Sequence, residues 1–195
     1  MIYITRHGQT DWNLLGRMQG HTDIPLNDTG RAQAYDLAKK VAELDIKHIF
    51  SSDLKRARET AEIVNKSNGN LEIVFDKRLR EVCYGDLEGK TRADLGEDVW
   101  GVYNRAVEEL NAERLEDVFS RVKEFLQEIQ QKKLKDVLIV THGGLIRMVA
   151  YYLDNPEYNH EGYMKFFNES RWYENAQVGV IDFETRTMTM GDKHD

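Results

Sequence analysis

Short, dense apolar runs alternate along this chain with longer segments in which apolar residues recur every three or four positions, and that alternation predicts an α/β fold. Residues 2–5 (IYIT) are β-branched and aromatic and stop at Arg6-His7-Gly8, a strand running into a loop. After some twenty loop residues, Asn27 or Asp28 caps a helix over 29–44 with Ala32, Tyr35, Leu37, Ala38, Val41 and Leu44 as its apolar positions. Lys47 to Ser51 predicts a second strand. Ser52 or Asp53 then caps a helix to Asn65, striped by Leu54, Ala57, Ala61 and Val64. LEIVF (71–75) reads as a strand, 78–89 as a polar loop, and 94–133 as two helices, the second showing Val118, Val122, Phe125, Leu126 and Ile129 on one face. DVLIVT (136–141) is nearly all apolar, as a strand covered on both faces must be. Gly143-Gly144 opens a helix through LIRMVAYYL, and VGVIDF and RTMTM form two last strands joined at Glu184-Thr185. The expected architecture is a three-layer α/β/α sandwich on a mostly parallel sheet with an antiparallel edge.

Composition narrows the class. A length of 195 residues suits one domain over 1–195, and with two prolines and no repeat or low-complexity tract nothing marks a boundary. A net charge of −7 argues against a nucleic-acid partner, because backbone affinity comes from excess Lys and Arg. No run approaches the ~20 apolar residues of a membrane span, so no membrane partner is expected. MIYITRHG lacks the basic and apolar regions of a signal peptide. The lone Cys83 forms no internal disulfide, reads as a small apolar filler, and fits a reducing cytoplasm.

Chemistry concentrates where the predicted strands end, the edge at which open α/β sheets bind ligands. Strand one ends in Arg6-His7-Gly8, strand two leads to Arg56 and Arg58, and the apolar strand ends in Thr141-His142-Gly143-Gly144. Two imidazoles facing each other beside arginine forks, with a helix N-terminus behind them, make an anion pocket. Arg58, beside Glu59 and Glu62, reads instead as a solvated ion-paired face. His48 is ordinary, and so is His21, although it can border the pocket. No carboxylate–histidine spacing suggests a metal. The aromatic stretch Tyr151, Tyr152, Tyr158, Tyr163, Phe166, Phe167, Trp172 and Tyr173 reads as core, with a lid or a homodimer surface as alternatives.

RHGQT followed by WN, QGHTDIPLNDTG, SSDLKRARETAE, LREVCYGDLEG and VTHGG, in that order, resemble the motif series of the histidine phosphatase superfamily, the phosphoglycerate mutase-like group. The resemblance covers 1–90 and 136–150, with an echo at Asn175-Ala176. It implies a phosphohistidine on His7, phosphoryl oxygens held by Arg6, Arg56 and His142, and Glu81 as general acid. Asn13, Gln19, Gly20, Tyr84 and Gly143 would line the phosphate and substrate side. Neither metal nor other cofactor is implied, and the partner is a small phosphorylated metabolite. His7 must be neutral to attack, which nearby arginines favour, whereas His142 serves better charged or donating.

Hydrolysis and mutase transfer share such a pocket. Mutases of this group carry an insertion and an arginine pair for the substrate carboxylate; no Arg-Arg pair occurs here, and KTRADLGEDVWGVYNRAVEEL after Gly89 is short and acidic. The chain therefore resembles the phosphatase branch, near the α-ribazole phosphatases, with a phosphoglycerate mutase or a non-catalytic phosphate-binding module as alternatives. It departs from that pattern at Asn111-Ala112-Glu113-Arg114, where relatives carry a small hydroxyl residue in place of Arg114.

Overall fold

The computed structural model describes residues 1–96, 99–170 and 173–191. Six strands form one sheet: β1 (Ile2–Arg6), β2 (His48–Ser51), β3 (Ile73–Phe75), β4 (Val137–Thr141), β5 (Val178–Asp182) and β6 (Thr187–Met190). Their spatial order is β3-β2-β4-β1-β5-β6, the first four parallel, β5 antiparallel to β1 and β6 antiparallel to β5, a mostly parallel sheet with an antiparallel edge as the patterning predicts. β4 is buried throughout, and its alternate residues serve opposite cores. Val137 and Ile139 face one hydrophobic cluster with Ile2, Ile4 and Phe125; Leu138 and Val140 face another with Leu37, Ala57 and Ile49. Two apolar faces on one strand require helices on both sides, which gives the three layers.

The helices are α1 (Asp11–Leu14), α2 (Asp28–Val41), α3 (Lys55–Lys66), α4 (Arg92–Leu95), α5 (Val99–Arg105), α6 (Leu115–Gln131), α7 (Gly143–Asp154) and α8 (His160–Glu169). α2 and α3 pack on one face of the sheet, α6 and α7 on the other. On α6 the predicted face is buried in full: Val118, Val122, Phe125, Leu126 and Ile129.

Several expectations change. Asn27 does cap α2 by accepting from Gly30 N, but Ala32 and Tyr35 point outward and the buried side is Gly30, Ala34, Leu37, Ala38 and Val41. Leu54, with no polar side chain, occupies the N-cap of α3; of the expected caps, Ser52 Oγ accepts from Leu54 N (3.3 Å) and from His142, and Asp53 pairs with Arg80. The first long loop contains α1, closed by a capping box of Thr10 and Asn13. Residues 94–133, read as two helices, fall on three, because Gly96 takes φ +81 at the end of α4. The aromatic stretch includes α8, and Tyr151, Tyr163 and Phe167 are buried in the core; Trp172 lies outside the described residues. Among the described residues no helix is long and apolar enough to cross a membrane.

Candidate active site

β1 and β4 are parallel neighbours in register Arg6 to Thr141, so each strand delivers the next residue, His7 and His142, to the same edge of the sheet. His7 N donates to the Thr141 carbonyl (2.9 Å), and the two imidazoles lie 5.1 Å apart between centroids. β2 adds Ser52, whose amide donates to the Val140 carbonyl (3.0 Å), and α3 adds Arg56.

His7 is 2% exposed. Its Nδ1 lies 2.6 Å from the Gly8 carbonyl, which can only accept, so Nδ1 carries the proton and the lone pair is on Nε2. Burial, then the charges of Arg56 and Arg6, hold its pKa well below the usual imidazole value. Gly8 donates to Thr60 Oγ1 (3.1 Å), and the absence of a side chain lets this turn reach α2: a Cβ there would stand 2.4 Å from the Gly30 carbonyl oxygen. Asn175 Nδ2 donates to the His7 carbonyl (2.8 Å), which accounts for the echo at Asn175-Ala176.

Arg56 is 1% exposed and holds three acceptors: His142 Nδ1 through Nε (3.2 Å), the Thr22 carbonyl through Nη1 (2.9 Å) and the Gly20 carbonyl through Nη2 (2.7 Å). Burial brings its pKa down to about 10, so it stays charged at neutral pH. Because Arg56 can only donate, His142 Nδ1 accepts, and Nε2 donates to Ser52 Oγ (2.8 Å). Burial, then Arg56, lower the pKa of His142 far below its usual value. Of the two expected states of His142, charged or donating, burial opposes the charged one, while Nε2 does donate, to Ser52 and not toward the cavity. Arg6 sends Nη1 to the Tyr173 carbonyl (2.7 Å), while its buried Nε has no hydrogen-bond partner among the described residues.

Glu81 accepts from Gly144 N at the start of α7 (3.0 Å) and from Val82 N (3.0 Å). Its segment is clamped from several sides, by α6 as well as by the motifs themselves. Arg121 of α6 donates to the carbonyls of Arg78, Arg80 (both 2.7 Å) and Glu81 (2.9 Å) while paired with Glu113 at 2.7 Å. Arg80 grips Asp53 with two 2.6 Å bonds, and His21 Nε2 donates to the Glu81 carbonyl (2.8 Å). Glu88 accepts from the amides of His21, Thr22 and Tyr84, joining the Gly20 turn to the Tyr84 turn. Arg121 resembles a solvated helix charge in the sequence, and nothing local marks it; Glu88 falls within the LREVCYGDLEG motif and was legible as part of it.

A cavity of about 250 Å³ opens here, lined by Arg6, His7, Asn13, Gln19, Gly20, Arg56, Glu81 and Tyr84, all expected, and also by Trp12, Gly16, Arg17, Met18 and Trp100. His142 and Gly143 are buried behind that lining. Arg58 is not at the site: it lies over the Phe75 ring at 4.0 Å, and Glu59 pairs with Arg31. Arg114 pairs with Glu108 at the start of α6, away from the cavity. Cys83, expected as an apolar filler, sits in a polar loop with Sγ 3.7 Å from Glu88 Oε1; burial raises its pKa and keeps it a thiol. His48 is exposed. Among the described residues no three His, Cys, Asp or Glu side chains are grouped to hold a metal.

The depressed histidines have a consequence for stability. In the unfolded chain both imidazoles bind a proton near pH ~6.5, in the folded chain only well below it. Between those points the unfolded state holds more protons. Stability is therefore expected to fall as pH drops through this window, by up to about 1.4 kcal/mol per pH unit for each histidine. Denaturant titrations at about pH 7 and pH 5.5 check this, and equal midpoints would show that the rings titrate normally.

A neutral, buried imidazole with a lone pair, set among arginines at a strand end, can attack an electrophile held as an anion. The histidine phosphatase superfamily (branch 1) model matches residues 2–191. Phosphoglycerate mutase-like protein 4 of Arabidopsis thaliana is 39% identical over 155 residues, spanning 75% of this chain and 67% of that protein. A mycobacterial glucosyl-3-phosphoglycerate phosphatase, solved with VO3, superposes with TM-score 0.74 at 29% identity over 91% of this chain and 90% of its own. An α-ribazole phosphatase structure from Shigella flexneri shares the fold, with TM-score 0.78 at 23% identity over 97% of this chain and 94% of its own. Sheet order, paired strand-end histidines and family match agree: this chain belongs to the histidine phosphatase superfamily.

Proposed function

We propose that the protein is a phosphatase that hydrolyses a small phosphomonoester through a phosphohistidine on His7. The observation that carries this reading is the state of His7: buried, neutral, with Nδ1 held by the Gly8 carbonyl and the ring lining a cavity with Arg6 and Arg56. Nε2 attacks phosphorus in line and the bond from phosphorus to the ester oxygen breaks. Glu81 gives its proton to the departing alkoxide. Water then attacks the phosphohistidine and returns a proton to Glu81, the N–P bond breaks, and inorganic phosphate leaves. Charge on the equatorial oxygens is met by the guanidiniums of Arg6 and Arg56, which line the cavity beside His7. His142 acts indirectly in this scheme, orienting Arg56 and packing against His7.

The mutase reading, favoured by the 39% identity to a phosphoglycerate mutase-like relative, uses the same first step and returns the phosphoryl group to a phosphoglycerate. Two assays separate them. Purified protein is incubated with p-nitrophenyl phosphate in EDTA, and separately with 3-phosphoglycerate and catalytic 2,3-bisphosphoglycerate. EDTA-resistant phosphate release without isomerisation is expected; isomerisation outpacing release makes it a mutase, and silence in both leaves a phosphate-binding module.

Gly144 offers a sharper test of Glu81. A Cβ there would stand 2.4 Å from Glu81 Oε1, the mobile end of a side chain, so Gly144→Ala is expected to displace the carboxylate with little change in melting temperature. Alkyl phosphate turnover should fall about 10²-fold or more, the usual contribution of a placed acid–base group. A variant within twofold of wild type would remove Glu81 from the mechanism.

A further inference from the structure

We infer that the site is built for a phosphate ester whose alcohol is apolar and flat, held in a bay formed by Trp12, Met18, Tyr84 and Trp100; this rests on the phosphatase reading for its chemistry but not for its binding. All four line the same cavity as His7. Of the described cations that line it, Arg6 and Arg56 stand at the phosphoryl end with His7. The third, Arg17, already gives Nη1 to the Gly89 carbonyl at 2.8 Å. Glu81 is the one acid among the described residues of the lining. Away from the phosphoryl end the wall offers the rings of Trp12, Tyr84 and Trp100 and the Met18 thioether, with Arg17 as a single cation at its exposed rim and no adjacent arginine pair.

The wall is also fixed in place, which lowers the entropic cost of binding. Met18 N donates to the Lys90 carbonyl (2.9 Å) and Gly89 N to the Met18 carbonyl (2.8 Å), tying the two strips of chain together. The Trp12 ring lies against Gly89. Trp100 meets Tyr84 edge-on at 5.8 Å and Phe167 at 4.6 Å between centroids. Tyr84 and Trp100 also line a second small cavity of about 10 Å³ with Val82, Leu115, Tyr163 and Phe167, so apolar side chains continue past the wall. A planar apolar group can pack on these rings in offset or edge-on contact, whereas a carboxylate laid against them loses hydration and finds only Arg17 at the rim as a cation.

Calorimetric titration with two non-hydrolysable phosphonates tests this without turnover: 2-phenylethylphosphonate and 2-carboxyethylphosphonate, on the wild-type protein and on Met18→Lys and Trp100→Ala. Wild type is expected to bind the phenyl compound roughly tenfold more tightly. Trp100→Ala should reduce that preference, and Met18→Lys should reverse it by supplying a cation. Equal affinities, tighter binding of the carboxylate, or no binding of either overturns the inference. A retained preference in a protein that releases no phosphate from any ester would instead overturn the phosphatase reading and leave the bay standing.

Discussion

Replacing His7 by asparagine or alanine is expected to cut turnover on the order of 10⁴-fold or more and to remove any phosphoryl adduct from the protein. The expectation follows from how the ring is held. Its Nδ1 proton is used on the Gly8 carbonyl and its charge state is set by burial beside two guanidiniums, so no neighbouring side chain can replace it as nucleophile. His142, the other imidazole 5.1 Å away, spends both nitrogens on Arg56 and Ser52. Rapid-quench labelling with a ³²P-ester checks this: the wild type should carry an acid-labile, base-stable label and His7→Asn none. Because nucleophile and supporting groups act as a unit, adding His142→Asn to His7→Asn should lower the residual rate little further. Label retained in His7→Asn would move the nucleophile elsewhere.

Arg56→Ala is expected to lower kcat/KM by about 10²- to 10³-fold, the scale of a lost charge-stabilising donor, whereas Arg58→Ala, two positions away, should stay near wild type. Arg56 is buried and its three donated bonds order His142 and the turn carrying Gly20 and Thr22; Arg58 is exposed and covers a phenylalanine ring. Arg56 is also the first charge acting on His7 after burial, so its removal should raise the His7 pKa and shift the acid limb of the pH–rate profile upward. That shift separates an electrostatic role from mere loss of packing. Arg56→Lys should rescue little, since one ammonium cannot reach three acceptors as a planar fork does. Parallel melting curves control for the stability lost when two carbonyls and a ring nitrogen are left unpaired. Equal losses in Arg56→Ala and Arg58→Ala would remove Arg56 from the phosphoryl end.

Much of this was legible before any coordinates. The unbroken apolar run 137–141 specifies a strand with helices on both faces, and every one of its residues is buried. The residues following β1 and β4 had to share an edge once the strands were parallel, and so the meeting of His7 and His142 followed from topology. Short elements were harder to see. α1 has four residues and owes its existence to the Thr10–Asn13 box, too brief for any period to register.

Patterning and motif order were enough for the sheet, the family and the identity of the residues at the strand ends, because burial periodicity and loop chemistry are local properties of the chain. Hydrogen-bond pairing is not local. Ser52 turned its hydroxyl to His142, Arg121 reached three carbonyls some forty positions away, and His142 is held neutral by burial and the charge of Arg56. The apolar bay likewise drew Trp12, Met18, Tyr84 and Trp100 from four separate elements and turns. Each of these depended on which groups folding brought within about 3 Å of one another, a distance that no spacing along the chain encodes.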